Sequence, residues 1–303
     1  MASARDIKQR IRGVKSTGKI TRAMEMISAV KMRKAVAAVL AIRPYAESAI
    51  HVLKQLSGIV HEKHPLLAER PIKKELYVVI SSNRGLCGAF NAQVLKKLRQ
   101  VIREDADRKQ VFVTIGKKGE TAVRRMLARA NDGTQGIIAS FPDVLASPTA
   151  EMMRPVARVL MEEFTSGRVD RVVMVYTDFL SVMSQEVKVR ALLPVALKDT
   201  KKALNEMNGK EKQPQGAAEY LIEPKPATVL ERMIPQLIEM ELYHAILESN
   251  ASQESARMLA MRNATDAAKE MADDYTLAYN QLRQQKITQE IAELSAGMAA
   301  VQG

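Results

Sequence analysis

From Thr228 to about Ala300 the sequence contains no glycine before Gly297 and no proline after Pro235, and it is dominated by Ala, Glu, Met, Gln and Leu. These residues lose little conformational freedom in a helix, so the segment predicts one uninterrupted α-helix. At about 1.5 Å per residue, some 60 to 70 helical residues make a rod on the order of 100 Å long, more than an ordinary globular core can contain. An apolar stripe follows it through Met233, Leu237, Met240, His244, Leu247, Ala251, Met258, Met261, Ala268, Ala272, Tyr275, Tyr279 and Leu282, with Glu254 and Thr265 in two of the seam positions. Steps of four and three residues repeat every seven, the coiled-coil period. Alanine and methionine along the seam leave room for a partner helix to approach closely.

The partner is at the other end of the chain. Between Ala2 and about Gly58 there is a single proline, Pro44, and the series Ile7, Ile11, Val14, Ile20, Met24, Ile27 and Val30 falls on one helical stripe. Ser3, followed three residues on by Asp6, predicts an N-terminal cap. Pro44 lacks the amide that the helical ladder needs and predicts a kink or restart near Arg43. Gly13 and Gly18, each costing about 1 kcal/mol against alanine in a helix interior, mark a bend or a close contact. The charges agree with a pairing of the two ends. The first 43 residues carry eleven basic side chains against Asp6 and Glu25, whereas Glu231 to Glu293 carries six basic against eleven acidic. Opposite signs steer two such segments into an antiparallel pair, and the net charge of +12 leaves positive charge for a third party.

Between the rods, β-rich runs alternate with helical stretches. Leu76 to Ser81, Val111 to Ile115, Ile137 to Phe141 and Val172 to Tyr176 read as strands; Asn91 to Asp105, Lys117 to Ala130 and Ser147 to Thr165 read as the helices between them. This alternation implies parallel β-α-β units over a twisted sheet, with Gln185 to Leu193 as an edge strand. Lys198 to Ala227, rich in Gly, Pro and Lys, reads as a return linker. The expected fold class is therefore α/β: a long antiparallel coiled coil of the N- and C-terminal helices plus a central Rossmann-like α/β domain. The expected division is an N-terminal helix over 1–58, the α/β domain with its return linker over 59–227, and the long C-terminal helix over 228–303.

Chemistry is harder to find. The lone cysteine, Cys87, leaves no partner for an internal disulfide, and burial against the sheet fits it better than a nucleophile's role. The turn Ser81 to Asn91 follows a strand and opens a helix, where phosphate loops sit. Its glycines are spaced G-x-x-G, however, which is neither the dinucleotide nor the P-loop pattern, and Gly116-Lys117-Lys118-Gly119 fails the same tests. His61 and His64 lack a third ligand at a suitable spacing, with His51 and His244 in other segments. No catalytic site, cofactor site or metal site is expected. No apolar run of about 18 residues predicts a membrane span, and a chain without Trp that is 4% aromatic is poorly equipped to stack nucleic-acid bases.

Several segments together resemble a known family. They are Ile20-Thr21-Arg22-Ala23-Met24-Glu25-Met26 with Lys31 to Lys34 and Arg43-Pro44-Tyr45, the Arg84-Gly85-Leu86-Cys87-Gly88 turn, Glu254 to Asp266, Tyr279-Asn280, and Arg283 to Glu290. In this order they resemble the gamma subunit of bacterial F-type ATP synthases from end to end, with only Thr134 to Arg154 and Thr200 to Gly216 unmatched. The resemblance implies a central rotor shaft. Its terminal helices would turn inside a hexamer of alternating alpha and beta subunits, coupling proton flow through the membrane c-ring to ATP synthesis or hydrolysis at the beta-subunit sites. The implied partners are the alpha and beta subunits, the epsilon subunit and the c-ring, with delta in the same complex. The implied place is the cytoplasmic side of a bacterial inner membrane, held peripherally.

Carried over residue by residue, the resemblance implies that Arg22, Met24 and Glu25 face the beta subunits. It implies that Arg283, Gln284 and Thr288 hydrogen-bond the hexamer, and that Tyr220 and Glu223 form the foot that meets the ring and epsilon. The chain lacks the regulatory cysteine pair of chloroplast members, so thiol switching is not expected, and the early start of the family motif leaves no room for a mitochondrial presequence. Two other readings remain open at this point. A basic coiled-coil protein gripping nucleic acid, or acting as a scaffold, would show steep salt dependence; a nucleotide-binding α/β domain would bind ATP or NAD by itself.

Overall fold

The computed structural model describes residues 4–59, 64–130, 136–142, 148–195 and 225–302. In chain order the elements are α1 (Ala4–Ile59), β1 (Lys74–Ile80), α2 (Phe90–Glu104), β2 (Lys109–Ile115), α3 (Lys117–Ala130), β3 (Gly136–Phe141), α4 (Ala150–Thr165), β4 (Arg171–Phe179), β5 (Gln185–Leu193) and α5 (Pro226–Gln302). The chain forms two compact units. One contains Val30–Ala256; the other joins residues up to Ala29 with those from Arg257 onward.

In the larger unit the five strands lie in the order β3-β2-β1-β4-β5, the first four parallel and β5 antiparallel to β4. Side chains alternate strictly between the two faces of β1, because successive Cβ atoms of a strand point opposite ways. Tyr77 and Val79 pack with Val94 and Leu98 of α2 and Val123 of α3, and the rings of Tyr77 and Phe112 stack at 5.9 Å. Leu76, Val78 and Ile80 pack instead with Met153, Val156 and Leu160 of α4 and with Leu230, Ile234, Ile238, Leu242 and Ile246 of α5. Each such fully buried aliphatic side chain is worth about 1.5–3 kcal/mol relative to exposure.

This second cluster changes the reading of the long stripe. Its first three members, Met233, Leu237 and Met240, belong to the α/β core rather than to a coiled-coil seam. A helix laid on a sheet and a helix laid on a helix bury residues at the same three-and-four spacing, so periodicity alone does not separate them. The helix α1 also passes through Pro44 without the expected restart. The proline removes one bond from a 56-residue helix, while Ala35, Val39 and Ile42 are held against the unit just before it. The expected cap at Ser3 lies outside the described residues.

Two polar clusters are built into the larger unit. At the N-terminal edge of the sheet, the fully buried Glu75 accepts a 2.8 Å hydrogen bond from the Tyr77 hydroxyl and lies 3.2 Å from Arg108 and 3.5 Å from Arg171. Where α5 crosses β4 and β5, Asp178 pairs with Lys188 and shares a hydrogen bond with Glu248, and His244 Nε2 lies 3.3 Å from Glu248 Oε1. Burial first, and then the Asp178 carboxylate, push the Glu248 carboxyl up to about 9.

Candidate functional site

The smaller unit pairs the start of α1 with the upper part of α5. Thr21 Oγ1 and Thr265 Oγ1 lie 2.8 Å apart, one hydroxyl donating to the other. A Cβ at Gly18 would sit 3.4 Å from the Ala268 Cβ. Both pairs fit one antiparallel register, which runs outward from Ser28 past Thr21, Gly18, Val14 and Ile11 to Ile7 on α1. Opposite them on α5 come Met258, Thr265, Ala268, Ala272, Tyr275 and Tyr279. Ile7, Thr21, Ser28, Met261, Ala268 and Ala272 are buried.

The seam of α1 therefore departs from the sequence expectation after Val14. Alternating four and three steps lead from Ile7 through Ile11, Val14, Gly18, Thr21 and the half-buried Glu25 to Ser28, whereas Ile20, Ile27 and Val30 are exposed and Met24 is only partly covered. Small residues replace bulky ones on the seam because α5 approaches too closely for an isoleucine there. The signal was present in the spacing but was overridden by hydrophobicity. A Gly18→Ala chain is expected to fold as well as the parent or slightly better, since the Cβ fits and helix propensity rises by about 1 kcal/mol. Gly18→Leu is expected to separate the helices, at a cost of about 1–3 kcal/mol by overpacking. Thermal melting of both variants, with Gly13→Ala as the control at a position with nothing within 4 Å, checks this.

Arg22, Met24 and Glu25 occupy one stretch of α1. The Arg22 guanidinium is exposed and holds the Glu25 carboxylate at 3.0 Å, one helical turn away. Arg283, Gln284 and Thr288 are exposed on α5. The register places Arg22 opposite residue 264, so the two groups stand some 19 residues apart along α5, about 30 Å of helix. They are two separate surfaces. Tyr220 and Glu223 lie outside the described residues.

Beyond Leu282 every residue from Arg283 to Met298 is exposed. Ile287, Ile291, Leu294 and Met298 continue the four-three-four spacing on that stretch, each between 44% and 69% exposed. This apolar stripe and the exposed Ile20, Met26 and Ile27 of α1 are surfaces that sequence reading assigned elsewhere or passed over.

The loops after β1 and β2, where a nucleotide would sit, are closed by the chain itself. The three backbone amides that open α3 are all engaged: Lys117 donates to Asn83 Oδ1, Lys118 to the Ser82 carbonyl and Gly119 to Ser81 Oγ. A Cβ at Gly119 would lie 2.6 Å from Ser81 Oγ, so glycine is what lets the two loops touch. The Cys87 thiol is buried, with its sulfur accepting from Asn91 Nδ2 at 3.1 Å. His64 caps a short turn, its Nδ1 accepting from the Leu66 amide at 3.2 Å, and His61 is outside the described residues.

Comparison with known proteins gives the family of the chain. The ATP synthase family model ATP-synt matches residues 3–301. The ATP synthase gamma chain of Dehalococcoides mccartyi is 41% identical over 304 residues, covering 99% of this chain and all of that one, and that of Heliobacterium modesticaldum is 39% identical with the same coverage. The chain belongs to the ATP synthase gamma chain family. Its fold is shared with a chain of the Euglena gracilis mitochondrial ATP synthase (OSCP/F1/c-ring), at TM-score 0.64 and 20% identity over 98% of this chain and 94% of that one. A chain of the Tetrahymena thermophila mitochondrial ATP synthase central stalk and c-ring matches at TM-score 0.58 and 21% identity, over 81% and 99% respectively. As a gamma chain it is one subunit of a larger, membrane-associated ATP synthase complex. No helix among the described residues is long and apolar enough to cross a membrane.

Proposed function

We propose that this gamma chain is the non-catalytic rotor shaft of a bacterial proton-driven ATP synthase, held peripherally at the cytoplasmic face of the inner membrane. The observation that carries this reading is the exposed end of α5. Sixteen consecutive residues, 283–298, are exposed while Ile287, Ile291, Leu294 and Met298 repeat the seam spacing. Such a stripe loses free energy in water and gains it inside a collar supplied by other subunits. In this reading the hexamer of alpha and beta subunits is that collar, with Arg283, Gln284 and Thr288 providing polar contacts at its mouth. Arg22, Met24 and Glu25, beside the exposed Ile20 and Ile27, meet the acidic faces of the beta subunits; Tyr220 and Glu223 meet epsilon and the c-ring, and delta completes the complex.

Function follows from asymmetry. A shaft that touches each beta subunit differently at each angle stabilises a different binding state in each, which is coupling through differential contact. Nucleotide chemistry then resides in the partners, in keeping with the self-satisfied loops after β1 and β2.

Alpha and beta subunits reconstituted with this chain are expected to assemble one copy with three alpha-beta pairs and to show sustained multi-site ATP hydrolysis. Without it they are expected to lack that turnover. A complex that neither incorporates the chain nor changes rate, where an established gamma chain does both, refutes the assignment.

A further inference from the structure

The two faces of the α/β sheet differ in charge. The helices α2 and α3, which cover one face, carry nine Lys and Arg against Glu104 and Glu120, a net +7. On the other face α4 sums formally to one negative charge and residues 226–256 of α5 to four, offset by four positive over residues 30–59 of α1, so that face is close to neutral. Lys96, Arg99 and Arg103 follow one stripe of α2, and Lys118, Arg125 and Arg129 one stripe of α3, all exposed. Lys96, Arg99 and Arg103 line a single open groove with Gln100 and Glu104.

We infer that the α2–α3 face adsorbs electrostatically to an anionic lipid surface. No large apolar side chain of α2 or α3 is exposed, so the face lacks the apolar anchors from which protein interfaces draw most of their affinity. It also presents no aromatic ring on which bases could stack. A two-helix array of long cationic side chains suits a fluid bed of phosphate headgroups, which needs no fixed geometry and attracts each Lys or Arg within a Debye length. The choice of lipid rests on membership of a membrane-associated complex and not on rotation.

The test is co-sedimentation of the full chain with vesicles of phosphatidylcholine, alone or with about one third phosphatidylglycerol. Binding is expected only to the anionic vesicles and is expected to fall more than about tenfold between roughly 50 and 300 mM salt. Reversing Arg99→Glu, Arg103→Glu, Arg125→Glu and Arg129→Glu together should weaken it by at least about tenfold. Arg154→Glu with Arg158→Glu on α4, and Arg10→Glu with Arg12→Glu on α1, should retain most of it. Should the reversal impair folding, Arg99→Gln, Arg103→Gln and Arg125→Gln read the same loss more mildly. Equal binding to neutral vesicles, undiminished binding of the α2–α3 variants, loss confined to the α1 variant, or displacement of vesicles by duplex DNA at equal charge would each overturn the inference. Activation of ATP hydrolysis by the α2–α3 variants stays at the parental level, which separates this proposal from the rotor assignment.

Discussion

A Glu75→Ala chain is expected to lose about 3–5 kcal/mol of unfolding free energy, the usual cost of breaking a buried ion pair from one side. Glu75 is fully buried at the start of β1, and three groups converge on it: the Tyr77 hydroxyl at 2.8 Å, Arg108 at 3.2 Å and Arg171 at 3.5 Å. Alanine would take from Arg171 its carboxylate at 3.5 Å, while Arg108 keeps Asp105 at 2.6 Å and the Tyr77 hydroxyl keeps a longer bond to Asp105 at 3.3 Å. Burial and the Glu75 hydrogen bond push the Tyr77 phenol far above its ordinary value, so the ring cannot compensate by ionising. Glu75→Gln keeps the acceptor for Tyr77 and should lose less than half as much. Denaturant unfolding of the three chains is the measurement; a Glu75→Ala loss below about 1 kcal/mol would show that the cluster is not a fastening of the sheet.

Glu248→Gln is expected to remove a pH dependence. The Glu248 carboxyl is pushed up to about 9 by burial first and then by the hydrogen bond and charge of Asp178. Asp178 lies on the opposite side of its ordinary value: despite desolvation, the hydrogen bonds from Glu248 and Lys188 hold it low. The folded chain thus keeps a proton on Glu248 that the unfolded chain releases near the ordinary value of 4.5. Stability from this group is fully present below that value and is lost as pH rises toward 9, because the folded state binds more protons across the window. Asp178 acts in the reverse sense, its contribution being present above 3.8 and lost as pH falls through its depressed value. A glutamine at 248 still donates to Asp178 and cannot ionise. Its melting temperature should match the parent near pH 5, exceed it by several degrees near pH 9, and change little between them. Parallel pH profiles of parent and variant would count against a retained proton.

The positions of β1 to β4 were legible as short apolar runs bounded by turn residues and β5 as a run alternating with polar residues, and the alternation of strand and helix implied parallel pairing. The order β3-β2-β1-β4-β5 was not legible, because it depends on which side of β1 each crossover returns. The parts that were not legible share a cause. Met233, Leu237 and Met240 and the stripe from Met261 to Leu282 have the same period, yet the first lie on a sheet and the others on α1. Ile20 and Ile27 looked like seam residues because they are hydrophobic, and Thr21 and Ser28 did not because they are polar. The choice was made by the distance between two helices, a tertiary quantity. The surfaces of Arg22, Met24 and Glu25 and of Arg283, Gln284 and Thr288 came from family resemblance. Nothing in the chemistry of one arginine or threonine on an exposed helix distinguishes it from its neighbours.

The pair of hydroxyls at Thr21 and Thr265 turns that seam into a keyed joint. A slip of one heptad would carry α1 about 10 Å along α5 and part the two hydroxyls, setting Thr21 against Met258 or Ala272. It would also bring Gly18 away from Ala268 and force larger side chains into the narrowest part of the seam. Two smooth aliphatic helices could slide under load and dissipate it as heat. A helix pair with one polar key set in a small-residue notch takes a push along its length without losing count of its own register.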